Sequence, residues 1–297
     1  HFAAIAGAGP LVGPVIAAQF GYLPGVLWIL IGCVLAGAVH DFVLLFASVR
    51  YNGKSIADIA KGEISSVAGF MTMLATLFLL IITMAGMAAV VANSLENSPW
   101  GFFTVSMTIP IAIFIGIYLK WIRPGKIREA TIIGVLLILA AVFYGPDVAA
   151  SPYAKYFTYD RVTIEIMLAV YSFFAAALPV WLLLAPRDYL STYMKIGTIA
   201  ALALGIIIVM PVIHMPALSP YVGGGGPVLS GSVLPFVFIT IACGALSGFH
   251  ATISTGTTPK MITNEKEMLP IGYGAMLTEA FIAMMALIAA TSLNPAD

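Results

Sequence analysis

Long apolar runs separated by short polar connections dominate the chain. Nine runs approach the roughly 20 residues that a helix needs to cross a bilayer, and they lie at 2–18, 25–48, 67–93, 102–119, 130–145, 162–185, 196–213, 233–253 and 271–292. No segment of soluble-domain size interrupts them. The pattern therefore predicts an all-α integral membrane protein, a polytopic helical bundle that forms a single transmembrane domain over residues 1–297.

The composition agrees with a bilayer environment. Of the 297 residues, 61% are hydrophobic and 9% are charged, and the mean hydropathy is +1.04. Soluble domains carry about 25% charged residues, so this chain could not cover a water-facing surface. Lys plus Arg and Asp plus Glu are balanced at 13 each, which argues against a nucleic-acid partner. Residue 1 is His and no charged segment precedes the first run, so we expect an internal portion of a longer chain, without a signal peptide.

Lys and Arg are distributed unevenly between alternate connections. One set of connections holds eleven of them, namely Arg50, Lys54, Lys61, Lys120, Arg123, Lys126, Arg128, Arg187, Lys195, Lys260 and Lys266. The other set holds Lys155 and Arg161. Cytoplasmic loops carry an excess of Lys and Arg, so the pattern predicts that residue 1 is cytoplasmic and residue 297 is extracytoplasmic.

Two connections have a distinct pattern. KSIADIAKGEI, residues 54–64, alternates charge with Ile at helical spacing, which predicts a short amphipathic helix at the inner membrane interface. HMPALSPYVGGGGPVLSGS, residues 214–232, is rich in Gly and Pro. This outer connection is either flexible or tightly folded over the protein, and it is a candidate lid.

The first apolar run, FAAIAGAGPLVGPVIAAQ, concentrates glycine and proline within eight residues: Gly7, Gly9, Pro10, Gly13 and Pro14. Each proline removes a backbone donor and clashes with the preceding turn. In hydrocarbon, such breaks persist where they are buried or line a cavity. One interpretation is a discontinuous helix whose bare backbone binds substrate or an ion. The alternative is a kinked helix whose small residues pack closely against a neighbour.

The sixth apolar run carries a mid-membrane proline, Pro179, and either a functional break or a plain kink would explain it. Runs one and six are five apart and cross the membrane in opposite directions. Gly/Pro-interrupted segments at corresponding positions of two inverted halves indicate the central site of a secondary transporter.

The eighth run ends in SGFHATISTGTTPK, where hydroxyl side chains surround His250. The hydroxyls belong to Ser247, Thr252, Ser254, Thr255, Thr257 and Thr258. They could supply oxygen ligands to sodium or hold a substrate carboxylate beside the broken first run. Alternatively, they could bond to carbonyls of their own helix.

Three further ionisable residues lie inside apolar runs, namely His40, Asp41 and Glu279. Such groups are costly in a membrane and are by default functional candidates. They could couple transport to protons or face a polar cavity, and structural pairing is the alternative.

Other classes of function lack their motifs. A GxxxxGK[ST] phosphate loop is absent, as are HExxH, GxSxG and any clustered metal-ligand spacing, so an intramembrane enzyme built on His40, Asp41 and His250 is a weak alternative. A channel would show a filter-like repeat or rings of charge. We therefore predict no catalytic residue, no metal site and no cofactor beyond a coupling ion, H⁺ or Na⁺. The oligomeric state is not predicted.

Four stretches spread over the whole chain resemble a known family. FAAIAGAGPLVGPVIAAQFGYLPG, LPVWLLLAPRDYLSTYMKIGT, ITIACGALSGFHATISTGTTPK and IGYGAMLTEA closely resemble the carbon starvation protein A family. The resemblance implies a bacterial or archaeal inner-membrane secondary transporter made during carbon starvation. Peptides are the principal implied substrate, and pyruvate is the alternative.

The resemblance also implies the five-plus-five inverted-repeat fold of LeuT- and APC-type transporters. In that fold the substrate lies between the broken first and sixth helices, and an ion lies between the first and eighth. The implied substrate contacts are Gly7, Gly9, Pro10, Gly13, Pro14, Leu178 and Pro179. His250 is a further candidate because it lies beside the hydroxyl side chains. The implied ion-site residues are Thr252, Ser254 and Thr255. His40, Asp41 and Glu279 are further candidates for coupling because they are ionisable residues inside apolar runs.

Overall fold

The structure, a computed structural model, describes residues 1–293 and builds them into helices and their connections. The helices are α1 (Phe2–Ile5), α2 (Gly9–Phe20), α3 (Tyr22–Arg50), α4 (Ile56–Glu63), α5 (Ser66–Leu95), α6 (Pro99–Ile122), α7 (Ile127–Ala150), α8 (Arg161–Ala177), α9 (Leu184–Val209), α10 (Val233–Thr240), α11 (Ala242–Ala245), α12 (Gly248–Ser254) and α13 (Glu265–Thr291). Within residues 1–293, six of them (α3, α5, α6, α7, α9 and α13) are long and apolar enough to cross a membrane. The chain is thus a multi-pass, all-helical membrane protein. The predicted location of residue 297 lies outside the described residues.

The helix α9 corrects one predicted boundary. The connection after the sixth run was expected to hold Arg187 and Lys195, but both lie within α9, which begins at Leu184. Pro186 does not prevent this early start, because it lies in the first helical turn, where its missing N–H needs no partner. The predicted run at 196–213 is therefore only the later part of a longer helix.

The first, sixth and eighth predicted spans are not single helices. The first is divided between α1 and α2. The sixth ends at Ala177, because Leu178 precedes a proline and adopts an extended conformation. The eighth was predicted as one span at 233–253. It is divided into α10, α11 and α12, with Leu246 and Ser247 extended between the last two.

The amphipathic segment forms the predicted helix. Ser55 caps α4, and its side chain accepts a hydrogen bond from the Asp58 amide. All residues of α4 are at least partly exposed, as expected for a helix that lies outside the core.

The chain divides into two compact units, and the first comprises His1–Met84 together with the chain from Ile199 onward. Its core joins small and aliphatic side chains of Ala17, Ile29, Cys33, Ala38, Ile241, Met276, Ala283 and Leu287. Glycines allow direct backbone contact within it. A Cβ on Gly13 would lie 2.1 Å from the Thr240 carbonyl oxygen, and one on Gly37 would lie 2.0 Å from that of Ala245. Gly13 thus packs directly against the backbone of the eighth span.

The second unit comprises Ala85–Thr198. Gly134 brings α7 against Leu190 of α9, since an added Cβ would lie 2.5 Å from a Leu190 methyl carbon. The Lys120 ammonium lies 3.6 Å from the centre of the Trp181 ring, a cation–π contact. The largest core cluster of this unit consists of Ile111, Ile115, Tyr118, Ala130, Ile138 and Leu190.

The glycine-rich connection at 214–232 folds against the end of α2. The Gln19 amide nitrogen donates to the Leu229 carbonyl at 3.0 Å. Its amide oxygen accepts from the Val228 and Leu229 backbone amides, at 3.2 and 2.9 Å. The Ser219 hydroxyl donates to the Gln19 carbonyl. Of the two alternatives for this connection, the tightly folded one is observed, and Gln19 holds it.

We expect Gln19→Ala to speed hydrogen exchange at the Val228 and Leu229 amides by roughly tenfold or more, because it removes several hydrogen bonds worth about 0.5–1.5 kcal/mol each. Hydrogen–deuterium exchange of the purified protein measures this. Thr240→Val is the matched control, since the Thr240 hydroxyl bonds within its own helix. Unchanged exchange at 228–229 in Gln19→Ala would show that another contact holds the connection.

Candidate functional site

The break in the first span lies beside a cysteine of the eighth. The helix α1 ends at Ile5, and α2 begins at Gly9. A Cβ on Gly9 would lie 2.6 Å from the Cys243 Cβ and 2.7 Å from its sulfur. Because real Cβ atoms do not approach so closely, glycine is required here for α2 to start against Cys243.

The eighth span is also interrupted at this level. Cys243 lies in α11, before the extended residues Leu246 and Ser247, and His250 lies after them in α12. The imidazole of His250 is fully buried. The interruption therefore lies between Cys243 and His250, whose side chains both contact Glu279.

Asp41 joins two histidines. Its Oδ1 lies 2.9 Å from the His40 Nδ1, and its Oδ2 lies 2.8 Å from the His250 Nδ1. Asp41 is fully buried, whereas the His40 side chain is 31% exposed. An ionised carboxylate only accepts hydrogen bonds, so each Nδ1 carries the shared hydrogen when Asp41 is charged. His40 thus connects the buried carboxylate to the more exposed side of α3.

Glu279, also fully buried, contacts the other side of His250. Its Oε2 lies 3.2 Å from the His250 Nε2, and the Cys243 thiol donates to its Oε1 at 3.1 Å. The Nε2–Oε2 separation qualifies as an ion pair, but neither atom makes a hydrogen bond within the described residues. The two groups are therefore close without the alignment of a hydrogen bond.

Wide helical turns precede both buried acids. The stretch Trp28–Gly37 follows π-helical hydrogen bonding and ends one turn before Asp41. The stretch Leu269–Gly274 does the same shortly before Glu279. Such turns shift the register of a helix and are frequent at functional sites.

The hydroxyl side chains at the end of the eighth span differ in their hydrogen bonds. The Thr252 hydroxyl donates to the Phe249 carbonyl and that of Thr255 to the Ala251 carbonyl, each at 2.7 Å, so both bond to their own helix. The Ser254 hydroxyl is buried without a hydrogen-bond partner in residues 1–293. Ion binding by these three side chains stays a prediction.

The structure brings together His40, Asp41, His250, Glu279 and Gly9, all in the first unit. Other predicted substrate contacts lie along or before α2, namely Gly7 in the break and the buried residues Pro10, Gly13 and Pro14. Leu178 and Pro179 lie in the second unit, in the non-helical segment after α8.

Cys243 is the member of the cluster that the sequence did not identify. It lies seven residues before His250, which would place both on one face of a continuous helix. That spacing was the available signal. It was weak because a lone cysteine in an apolar run usually behaves as a small hydrophobic residue.

Comparison with known proteins identifies the family of this chain. The family model for the carbon starvation protein CstA matches residues 1–297. The protein named peptide transporter CstA of Bacillus subtilis is 57% identical over 297 residues, covering 100% of this chain and 49% of the relative. The protein named pyruvate/proton symporter BtsT of Escherichia coli is 53% identical over 296 residues, covering 99% of this chain and 41% of the relative.

The chain thus spans less than half the length of these curated relatives. A third, the peptide transporter CstA of Escherichia coli, is 55% identical over 296 residues and is covered to 42% of its length. No solved structure matches. Because the family model extends over every residue and the identities are high, the chain belongs to the carbon starvation protein CstA family.

Proposed function

We propose that this chain forms part of a secondary active transporter that imports small carboxylate-bearing nutrients across the bacterial inner membrane during carbon starvation. Peptides are the leading substrate class, as the names of most matched relatives suggest. Pyruvate is the second candidate, favoured by the relative named as a pyruvate/proton symporter. The same name favours H⁺ over Na⁺ as the coupling ion.

This proposal rests on one observation: buried ionisable side chains lie close to the break in the first span. Asp41, His250 and Glu279 are fully buried in a chain with 9% charged residues. Isolated charges inside apolar helices are costly and mark substrate or ion pathways. At the neighbouring break, the Gly7 and Leu11 amides already bond to backbone carbonyls. The amides of Ala8 and Gly9 are the ones we propose as donors for a polar ligand.

The start of α2 suits a carboxylate. The first amides of a helix lack intrahelical acceptors, and the helix dipole favours negative charge there. Gly9 opens the helix, and Pro10 occupies the first turn, where its missing N–H is tolerated. We place the substrate carboxylate at this end of α2, with the coupling ion at the acidic residues beside it.

The five-plus-five inverted repeat is the architecture we propose for the complete transporter. The breaks after α1 and after α8 support it, because they fall in the first and sixth predicted spans. Alternating access around these breaks would then move the substrate. The asymmetry of loop charges supports a cytoplasmic residue 1.

Uptake by the purified full-length protein in liposomes tests the proposal. Labelled dipeptide and labelled pyruvate are compared under separate proton and sodium gradients. We expect saturable accumulation of one substrate that collapses when an uncoupler dissipates the driving gradient. Substrate recovered chemically altered without any gradient would instead indicate an enzyme, and gradient-independent equilibration would indicate a channel.

A further inference from the structure

We propose that Cys243, His250 and Glu279 form a binding site for a divalent transition-metal ion of the zinc class. These residues belong to the site described above. The metal site is inferred from their ligand atoms and the distances between them, so it does not depend on the transport function. It also revises the expectation that the chain holds no metal, which rested on the lack of clustered ligand spacing.

The three side chains supply a thiol, an imidazole and a carboxylate at ligand distances. Their donor atoms all lie within 4.8 Å of one another. Two of the separations are Cys243 Sγ to Glu279 Oε1 at 3.1 Å and His250 Nε2 to Glu279 Oε2 at 3.2 Å. Tetrahedral zinc, with bonds of about 2.0–2.3 Å, separates its ligand atoms by roughly 3.3–3.7 Å. These two separations are close to those of tetrahedral zinc.

Two of the donor atoms lie 3.2 Å from each other without an aligned hydrogen bond. His250 Nε2 and Glu279 Oε2 are buried, and neither makes a hydrogen bond within residues 1–293. A buried polar atom without a hydrogen bond is destabilising and calls for an explanation such as an ion. A shared metal ion would satisfy both atoms from one position.

The other imidazole nitrogen has the partner that a metal ligand needs. His250 Nδ1 lies 2.8 Å from the Asp41 carboxylate, and both residues are fully buried. Metal-bound histidines commonly donate their second N–H to a carboxylate, which fixes the ring and raises its basicity. This contact directs Nε2 toward Cys243 and Glu279.

A bound metal ion explains the position of the Cys243 thiol better than charge pairing among the other residues does. Asp41, His250 and Glu279 could pair without any sulfur, yet Cys243 points its thiol at the carboxylate. Sulfur together with imidazole and carboxylate favours zinc over magnesium or calcium, which prefer oxygen ligands. Three protein ligands leave a fourth tetrahedral position for water or another ligand.

Zinc titration of the chelator-stripped full-length protein tests the site. We expect wild-type protein to bind about one zinc ion per chain, as a single site requires. Cys243→Ser should lose more than about tenfold in zinc affinity. Asp41→Asn should lose roughly 10–100-fold, as is typical when a carboxylate that orients a metal-bound histidine is removed. Cys33→Ser is the matched control, because that buried thiol faces the Met276 carbonyl instead, and it should bind zinc as the wild type does.

Cobalt substitution gives a second readout that does not depend on affinity. Wild-type protein and Cys33→Ser should show a thiolate-to-cobalt charge-transfer absorption, and Cys243→Ser should lack it while eluting as the same species in size-exclusion chromatography. Equal zinc affinity in wild type and Cys243→Ser, or no saturable binding by the wild type, would overturn the proposal. Liposome uptake is measured separately, so intact uptake without zinc binding would remove the metal site alone.

Discussion

Replacing Asp41 with Asn is expected to lower gradient-driven uptake roughly tenfold to a hundredfold while the amount of protein in the membrane stays near wild type. The substitution keeps the size of the side chain but removes the charge that His40 and His250 contact at 2.9 and 2.8 Å. A hydrogen bond to a charged group contributes about 1.5–3 kcal/mol. Glu279→Gln removes the other buried carboxylate and should have a comparable effect.

Glu165→Gln is the control for this prediction. Glu165 forms an ion pair with Arg161 at 2.8 Å, and both side chains are partly exposed. Exposed pairs contribute little, so the same change of carboxylate to amide should leave uptake near wild type. If Asp41→Asn and Glu279→Gln both transport as the wild type does, the buried acids have a structural role only.

The second large effect concerns the break in the first span. We expect Gly9→Leu to abolish uptake, because even its Cβ would lie 2.6 Å from the Cys243 Cβ and would force apart α2 and the cluster. Gly86→Leu is the matched control. A Cβ on Gly86 meets nothing within 4 Å, so the same added side chain should be accommodated on α5.

Gly9→Ala extends this test if the leucine variant does not reach the membrane. Alanine introduces the same Cβ with less bulk, so we expect a partial loss of uptake at normal protein level. Full uptake by a well-expressed Gly9→Leu variant would show that the contact between Gly9 and Cys243 is not needed for transport.

The class of the protein and the break in its first span could be predicted from the residues alone. Apolar runs of membrane length define the class, and Pro10 and Pro14 beside several glycines predict an interrupted helix. The buried acids were recognisable for a related reason, since Asp41 and Glu279 are rare charges inside apolar runs.

The meeting of these residues could not be predicted. Asp41, His250 and Glu279 come from three helices, and hydropathy does not say which faces of the helices contact one another. The interruption at Leu246 and Ser247 was hidden as well, because the surrounding residues are apolar enough to extend the run. Cys243 contacts Glu279 only because these helix faces pack together and the span is interrupted after it, so the sequence alone did not reveal this contact.

An experimental structure of the full-length protein with its transported substrate bound would locate the carboxylate site directly. We expect the substrate carboxylate at the start of α2, next to Gly9 and within the unit that holds Asp41, His250 and Glu279. A substrate bound elsewhere, with the cluster closed off and the start of α2 covered by protein, would contradict it.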